Sequence, residues 1–172
     1  MALLVEKFFT ELKKYEKEGT DSSDLAHYFI DEIVEKFNPE DWCYVKKNYK
    51  DKSDNIKLLI AGHIHLKNID LADIQLEILI QIILAEQIVV AYEALREITF
   101  RFVTSGRNYE TNEFFYKEEL KGIFLSKRKL FLVNTFFTKK FIDKVLSIAS
   151  ECGEVQRNEI LKFLEIINAL KQ

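Results

Sequence analysis

The sequence predicts an all-α fold: one compact helical bundle of six to eight helices over residues 1–172. Three observations carry this. Glycine and proline are scarce, five and one in 172 residues, whereas β-rich folds spend such residues on their many turns. Apolar residues recur every three to four positions in most long segments. The composition, 48% apolar and 31% charged, is that of a globular chain with a sizeable core. Fourteen phenylalanines and seven tyrosines make that core aromatic.

Residues 3–18 place Leu4, Val5, Phe8, Phe9, Leu12 and Tyr15 on a stripe, and Gly19 is a natural stop. The run TDSSD offers caps for a helix over 23–37, with Leu25, Ala26, Phe29, Ile30, Ile33, Val34 and Phe37 inward. Asn38-Pro39 reads as a cap followed by a first-turn proline, opening a short helix through Trp42, Val45 and Tyr49. KDKSDN, 50–55, is a polar connection before a helix over 54–67.

Residues 70–103 read as one helix about 50 Å long at 1.5 Å per residue. Ile74, Leu76, Ile78, Ile80 and Ile82 alternate as a strand would. Helix is favoured because no turn residues bound the run and good helix formers continue it. A helix apolar on nearly every side belongs at the centre of a bundle. TSGRNYET, 104–111, is the clearest loop, and a helix over 112–124 follows. Ser126 caps a helix over 127–151 that points Leu130, Val133, Phe137, Phe141, Val145 and Ile148 inward, and Gly153 ends it. The last amphipathic helix covers 154–171.

Several function classes are set aside on composition and motif. The net charge of −3 gives no general pull toward nucleic acid or membrane. The start MALLVEKFFTELKK is charged by its sixth residue, unlike a secretory signal. The most apolar window, ILIQIILAEQIVVAY, is interrupted by Gln81, Glu86 and Gln87 and falls short of a membrane span. Cys43 and Cys152 match no metal or redox spacing, so free thiols in a reducing cytoplasm are expected. No phosphate loop, HExxH pattern or nucleophile elbow occurs. No histidine follows His65, which removes the arginine-then-histidine pattern of small helical RNases. Asp31/Glu35 and Glu93/Glu97 sit four apart without the Glu-x-x-His partners of a di-metal bundle, and read as surface charge. The chain is therefore expected not to be an enzyme.

Three segments remain. Lys121, Lys127, Arg128, Lys129, Lys139, Lys140 and Lys144 interleave with Phe131, Phe136 and Phe137. At helical spacing the rings face inward and the lysines line the solvent; a phosphate or acidic-partner surface is the competing reading. The loop residues Arg107, Asn108 and Tyr109 read as an exposed turn. IAGHIHLKNIDL, 60–71, holds two of the three histidines. In a helix His63 and His65 lie about 200° apart and cannot share a metal. On a strand they would share a face and, with His27, form a three-histidine zinc site. One packed and one exposed imidazole is the plain reading, and a single axial ligand to haem is the third.

IAGHIHLKNIDL followed by a long apolar helix resembles the proximal segment of globin-coupled sensors and of their haem-free relatives, the amino-terminal globin domains of stressosome proteins. VEKFFTELKKY resembles the first core helix of that family and DLAHYFIDEIVEKF the helix over its pocket. The helix at 70–103 and KLFLVNTFFTKKFIDKVL resemble the pair across its dimer interface. The resemblance spans most of the chain as an order of helices. It implies a globin-like layout, His65 as the haem-iron ligand, and Phe8 or Phe9 facing bound gas where oxygen sensors carry a tyrosine. Asn68 is an extra residue between His65 and Ile69, Asp70 replaces a glycine, and DWCYVKKNYKDK is an added piece. It also implies a homodimer that signals by repacking of helices 70–103 and 127–151. With no output domain expected after the last helix, the signal passes to a separate protein partner. The alternative is a cofactor-free interaction module: an inhibitor, immunity protein or scaffold subunit.

Overall fold

The computed structural model describes residues 2–18, 23–64, 72–107, 114–116 and 134–171. The fold is all-α. Among the described residues eight helices of ten residues or more occur: α1 Ala2–Glu18, α2 Ser23–Val34, α3 Pro39–Asn48, α4 Asp54–His63, α5 Ala72–Ala85, α6 Ile88–Val103, α7 Lys139–Glu151 and α8 Glu154–Leu170. Two short strands, β1 Thr104–Arg107 and β2 Phe114–Tyr116, pair antiparallel with an irregularity between Thr104 and Gly106. The chain divides into two compact units, Met1–Ile82 and Ile83–Gln172.

In the first unit α1 packs on α2, α3 and α4, and α2 packs on α4. The stripe of α1 buries Val5, Phe8 and Leu12. Phe8 meets Phe37 edge to face at 5.3 Å, and Phe37 meets Trp42 likewise at 5.2 Å. Edge-to-face pairs of this kind add to the burial of the rings themselves. α3 opens as expected. The Asn38 side chain accepts from the backbone N–H of Glu40 and Asp41, and Asp41 accepts from the Asn38 N–H, with Pro39 in the first turn. Ser53 caps α4 by accepting from the Ile56 N–H and also bonds Glu16 on α1.

In the second unit α8 packs on α6 and α7, and α7 packs on α6. Phe137, Phe141 and Phe163 form a fully buried ring cluster. The Arg157 guanidinium donates to the carbonyls of Ala149, Ser150 and Cys152, closing the α7–α8 corner.

Several expectations change. Segment 74–82 is helical, but 70–103 is not one helix: it breaks between α5 and α6 at Glu86-Gln87. The carbonyl of Glu86 there accepts from Lys144 Nζ, so α7 supplies the partner that a continuous helix would have provided. The helix over 127–151 is likewise interrupted, because Thr138 accepts from the Phe141 N–H and starts α7 anew. Phe137, Phe141, Val145 and Ile148 are nonetheless buried as expected. α2 ends at Val34 rather than 37. Phe29, expected inward, is 56% exposed beside Tyr28 at 73%. The loop and helix expected over 104–124 are strand at 104–107 and 114–116. α7 ends at Glu151, just before Gly153 as expected, and Gly153 also serves as the N-cap of α8. Gly19, the region 65–71, Leu130 and Val133, and Arg128 with its neighbouring lysines lie outside the described residues.

Candidate functional site: a tyrosine, two imidazoles and a carboxylate

α4 is shorter than its sequence pattern. It ends at His63, and Ile64 turns extended with its N–H on the Ala61 carbonyl. That ending leaves His63 on the last turn, buried at 4% exposure. A buried imidazole requires partners, and two come from α2. His63 Nδ1 lies 2.8 Å from Asp31 Oδ1. His63 Nε2 lies 3.0 Å from His27 Nδ1. His27 Nε2 in turn lies 2.6 Å from the Tyr15 hydroxyl on α1. Four side chains from three helices thus form one continuous chain, Tyr15–His27–His63–Asp31.

The geometry of the two rings matters. Their centroids are 5.0 Å apart with 30° between the planes. That separation exceeds the 3.0 Å N···N contact by nearly the two ring radii, so the imidazoles meet edge to edge rather than face to face. The contact is a hydrogen bond, not a stack.

The chemistry of the four groups dictates how their protons run. A carboxylate only accepts, so His63 carries a proton on Nδ1 and, as a neutral ring, offers a lone pair at Nε2. His27 then donates from Nδ1, and its Nε2 accepts from the Tyr15 hydroxyl. Every donor points toward Asp31 and all four groups are satisfied without a net proton on either ring. One further arrangement is open: His27 can carry its proton on Nε2 and donate to the Tyr15 oxygen. His27 Nδ1 and His63 Nε2, 3.0 Å apart, then face each other as two lone pairs, so this arrangement gives up the His27–His63 hydrogen bond.

The zinc geometry weighed for His63 and His65 on a strand does not arise, since α4 is helical through His63. His27 and His63 meet instead across the α2–α4 contact. Asp31, read from the sequence as surface charge, is half-exposed and serves His63. The sequence did hold one sign of this: His27 and Asp31 are four apart, on one face of α2. Among the described residues no group of three or more His, Cys, Asp or Glu side chains is arranged to hold a metal.

The residues singled out for haem fall elsewhere. Phe8 is fully buried between Phe9 and Phe37, a filled core position. Phe9 borders an open groove of about 350 Å³ lined also by Glu6, Lys13, Tyr44, Asn48 and Lys52. Lys52 Nζ sits 5.1 Å from the Phe9 ring centroid, a cation–π contact. Phe8 is thus part of a packed core, and Phe9 lies at the edge of a polar groove. His65 lies outside the described residues.

Elsewhere Lys139 and Lys140 are exposed and Phe137 is buried, the solvated-face arrangement. Glu93 is half-buried and pairs with Arg96. Burial lifts the Glu93 carboxyl above its ordinary range, with Arg96 opposing and Glu97 reinforcing the rise. Burial also raises the Tyr92 hydroxyl and the Cys152 thiol. Cys43 and Cys152 are free. Among the described residues no helix is long and apolar enough to cross a membrane. No protein family, curated protein or solved structure matches the chain.

Proposed function

We propose that the chain is a sensory or signalling helical domain, not an enzyme, whose state-dependent element is the Tyr15–His27–His63–Asp31 chain. The observation that carries this reading is that one hydrogen-bonded chain ties α1, α2 and α4 together; moving the His27 proton from Nδ1 to Nε2 breaks its bond to His63 and gives a second arrangement. A ligand or partner that binds one arrangement better shifts the packing of these helices; one that binds both equally shifts nothing. The signal then passes to a second copy of the chain or to a separate protein.

The test is amide hydrogen exchange across α1, α2 and α4, with sedimentation for assembly state, in the wild type, Tyr15→Phe and Asp31→Ala. The expected result is faster exchange in α2 and α4 for both variants, by about tenfold for each 1.4 kcal/mol lost, with a changed monomer–dimer balance. Variants indistinguishable from wild type in both readouts would overturn the reading.

Haem at His65, which the globin-sensor resemblance implies, is decided by an absorption titration. A Soret band at one haem per chain that His65→Ala abolishes supports it, and only free-haem features sinks it. The interaction-module reading draws on adjacent Tyr28 and Phe29, both exposed on α2. Capture of a stoichiometric partner with no change around the Tyr15–His27–His63–Asp31 chain favours it.

A further inference from the structure

We infer that His27 Nδ1 and His63 Nε2 form a two-imidazole site for a divalent transition-metal cation. This names a ligand for the proposed sensing element and rests on that reading only for its consequence, not for binding itself.

Three features of the geometry point to it. First, the two nitrogens already converge, at 3.0 Å. Zinc–nitrogen bonds of about 2.0–2.1 Å in a tetrahedral field place two ligand nitrogens about 3.3 Å apart. A few tenths of an ångström of opening suffices, and His27, which is exposed, can supply it. Second, the edge-to-edge rings direct both lone pairs into the gap between them, as ligation needs and a face-to-face stack would not allow. Third, each ring is held on its far nitrogen by an oxygen: Asp31 Oδ1 at 2.8 Å from His63 Nδ1 and the Tyr15 hydroxyl at 2.6 Å from His27 Nε2. Outer carboxylate and oxygen partners of this kind fix the tautomer and orientation of metal-bound imidazoles.

The proton balance is simple. In the metal-free chain His27 Nδ1–H donates to His63. On binding, that proton leaves Nδ1 and one returns at Nε2, where the Tyr15 oxygen turns from donor to acceptor. No net proton is released, both imidazoles stay neutral, and Asp31 continues to accept from His63 Nδ1–H. The cation replaces the proton between the rings, and water completes its coordination, so the ion is exchangeable. Imidazole donors suit Zn²⁺, Co²⁺, Ni²⁺ and Cu²⁺ rather than Mg²⁺ or Ca²⁺.

The experiment titrates the full chain, carrying Cys43→Ser and Cys152→Ser to remove competing thiols, with Zn²⁺ by calorimetry and with Co²⁺ by visible absorption. The expected result is one ion per chain, with d–d bands that grow on Co²⁺ addition. His27→Ala, at an exposed position, and His63→Gln each abolish the bands. Asp31→Ala weakens binding by about 10–100-fold, the range for outer-shell partners. Circular dichroism of each variant separates lost binding from lost folding. Absence of saturable binding, or binding undiminished in a folded His27→Ala, would overturn the site. Binding without any change in α1, α2 and α4 hydrogen exchange would uphold the site and sink the sensing reading instead.

Discussion

At the residue scale, the molecule shows how environment sets the role of one side-chain type. Asp31 and Glu93 both looked like surface carboxylates in i,i+4 pairs. Asp31 is recruited by an imidazole from α4, while Glu93 is partly buried and pairs with Arg96 on its own helix. The second case carries a pH prediction. Burial raises the folded-state pKa of Glu93 above its ordinary 4.5, so the folded chain holds that proton more tightly than the unfolded one. The penalty for burying the charge is absent below the ordinary value and is complete above the folded one. Glu93→Gln is therefore expected to raise the melting temperature at pH 7.5, with a gain that shrinks toward pH 4. An equal gain at both pH values would contradict the burial account. His63 was legible only as one of two histidines with opposite directions. Its partner lies 36 residues away, and no local pattern encodes a contact across two helices.

At the element scale, helices were legible where their signals are local. α3 is the clearest case: Asn38, Pro39 and Asp41 specify a capping box by side-chain chemistry alone. Asn38→Ala is expected to cost about 1 kcal/mol in urea unfolding; no loss would show that the cap is redundant with packing. Boundaries without such signals were not legible. Nothing at Glu86-Gln87 resembles a turn, since neither glycine nor proline is present. The carbonyl exposed there finds Lys144, 58 residues away. The 114–116 ladder went unread for a related reason. Phe-Phe-Tyr has strand propensity, but its pairing with 104–107 is decided by tertiary context rather than by period.

At the scale of the whole molecule, an all-α architecture was legible from scarce turn residues and helical periodicity, because both act over long windows. The chain resolves into two compact units, each with its own aromatic cluster: Phe8, Phe37 and Trp42 in the first, Phe137, Phe141 and Phe163 in the second. Tyr15, His27, His63 and Asp31 all lie in the first unit, on helices that pack on one another. A change there bears directly on the α1–α2–α4 arrangement. The most direct test is a long-range ¹H–¹⁵N spectrum of the histidine side chains in metal-free protein. The account predicts His63 protonated on Nδ1 and His27 on Nδ1, with the His27 signals perturbed by Tyr15→Phe. Two imidazoles with free, tautomer-averaged signals, unaffected by Tyr15→Phe, would contradict it.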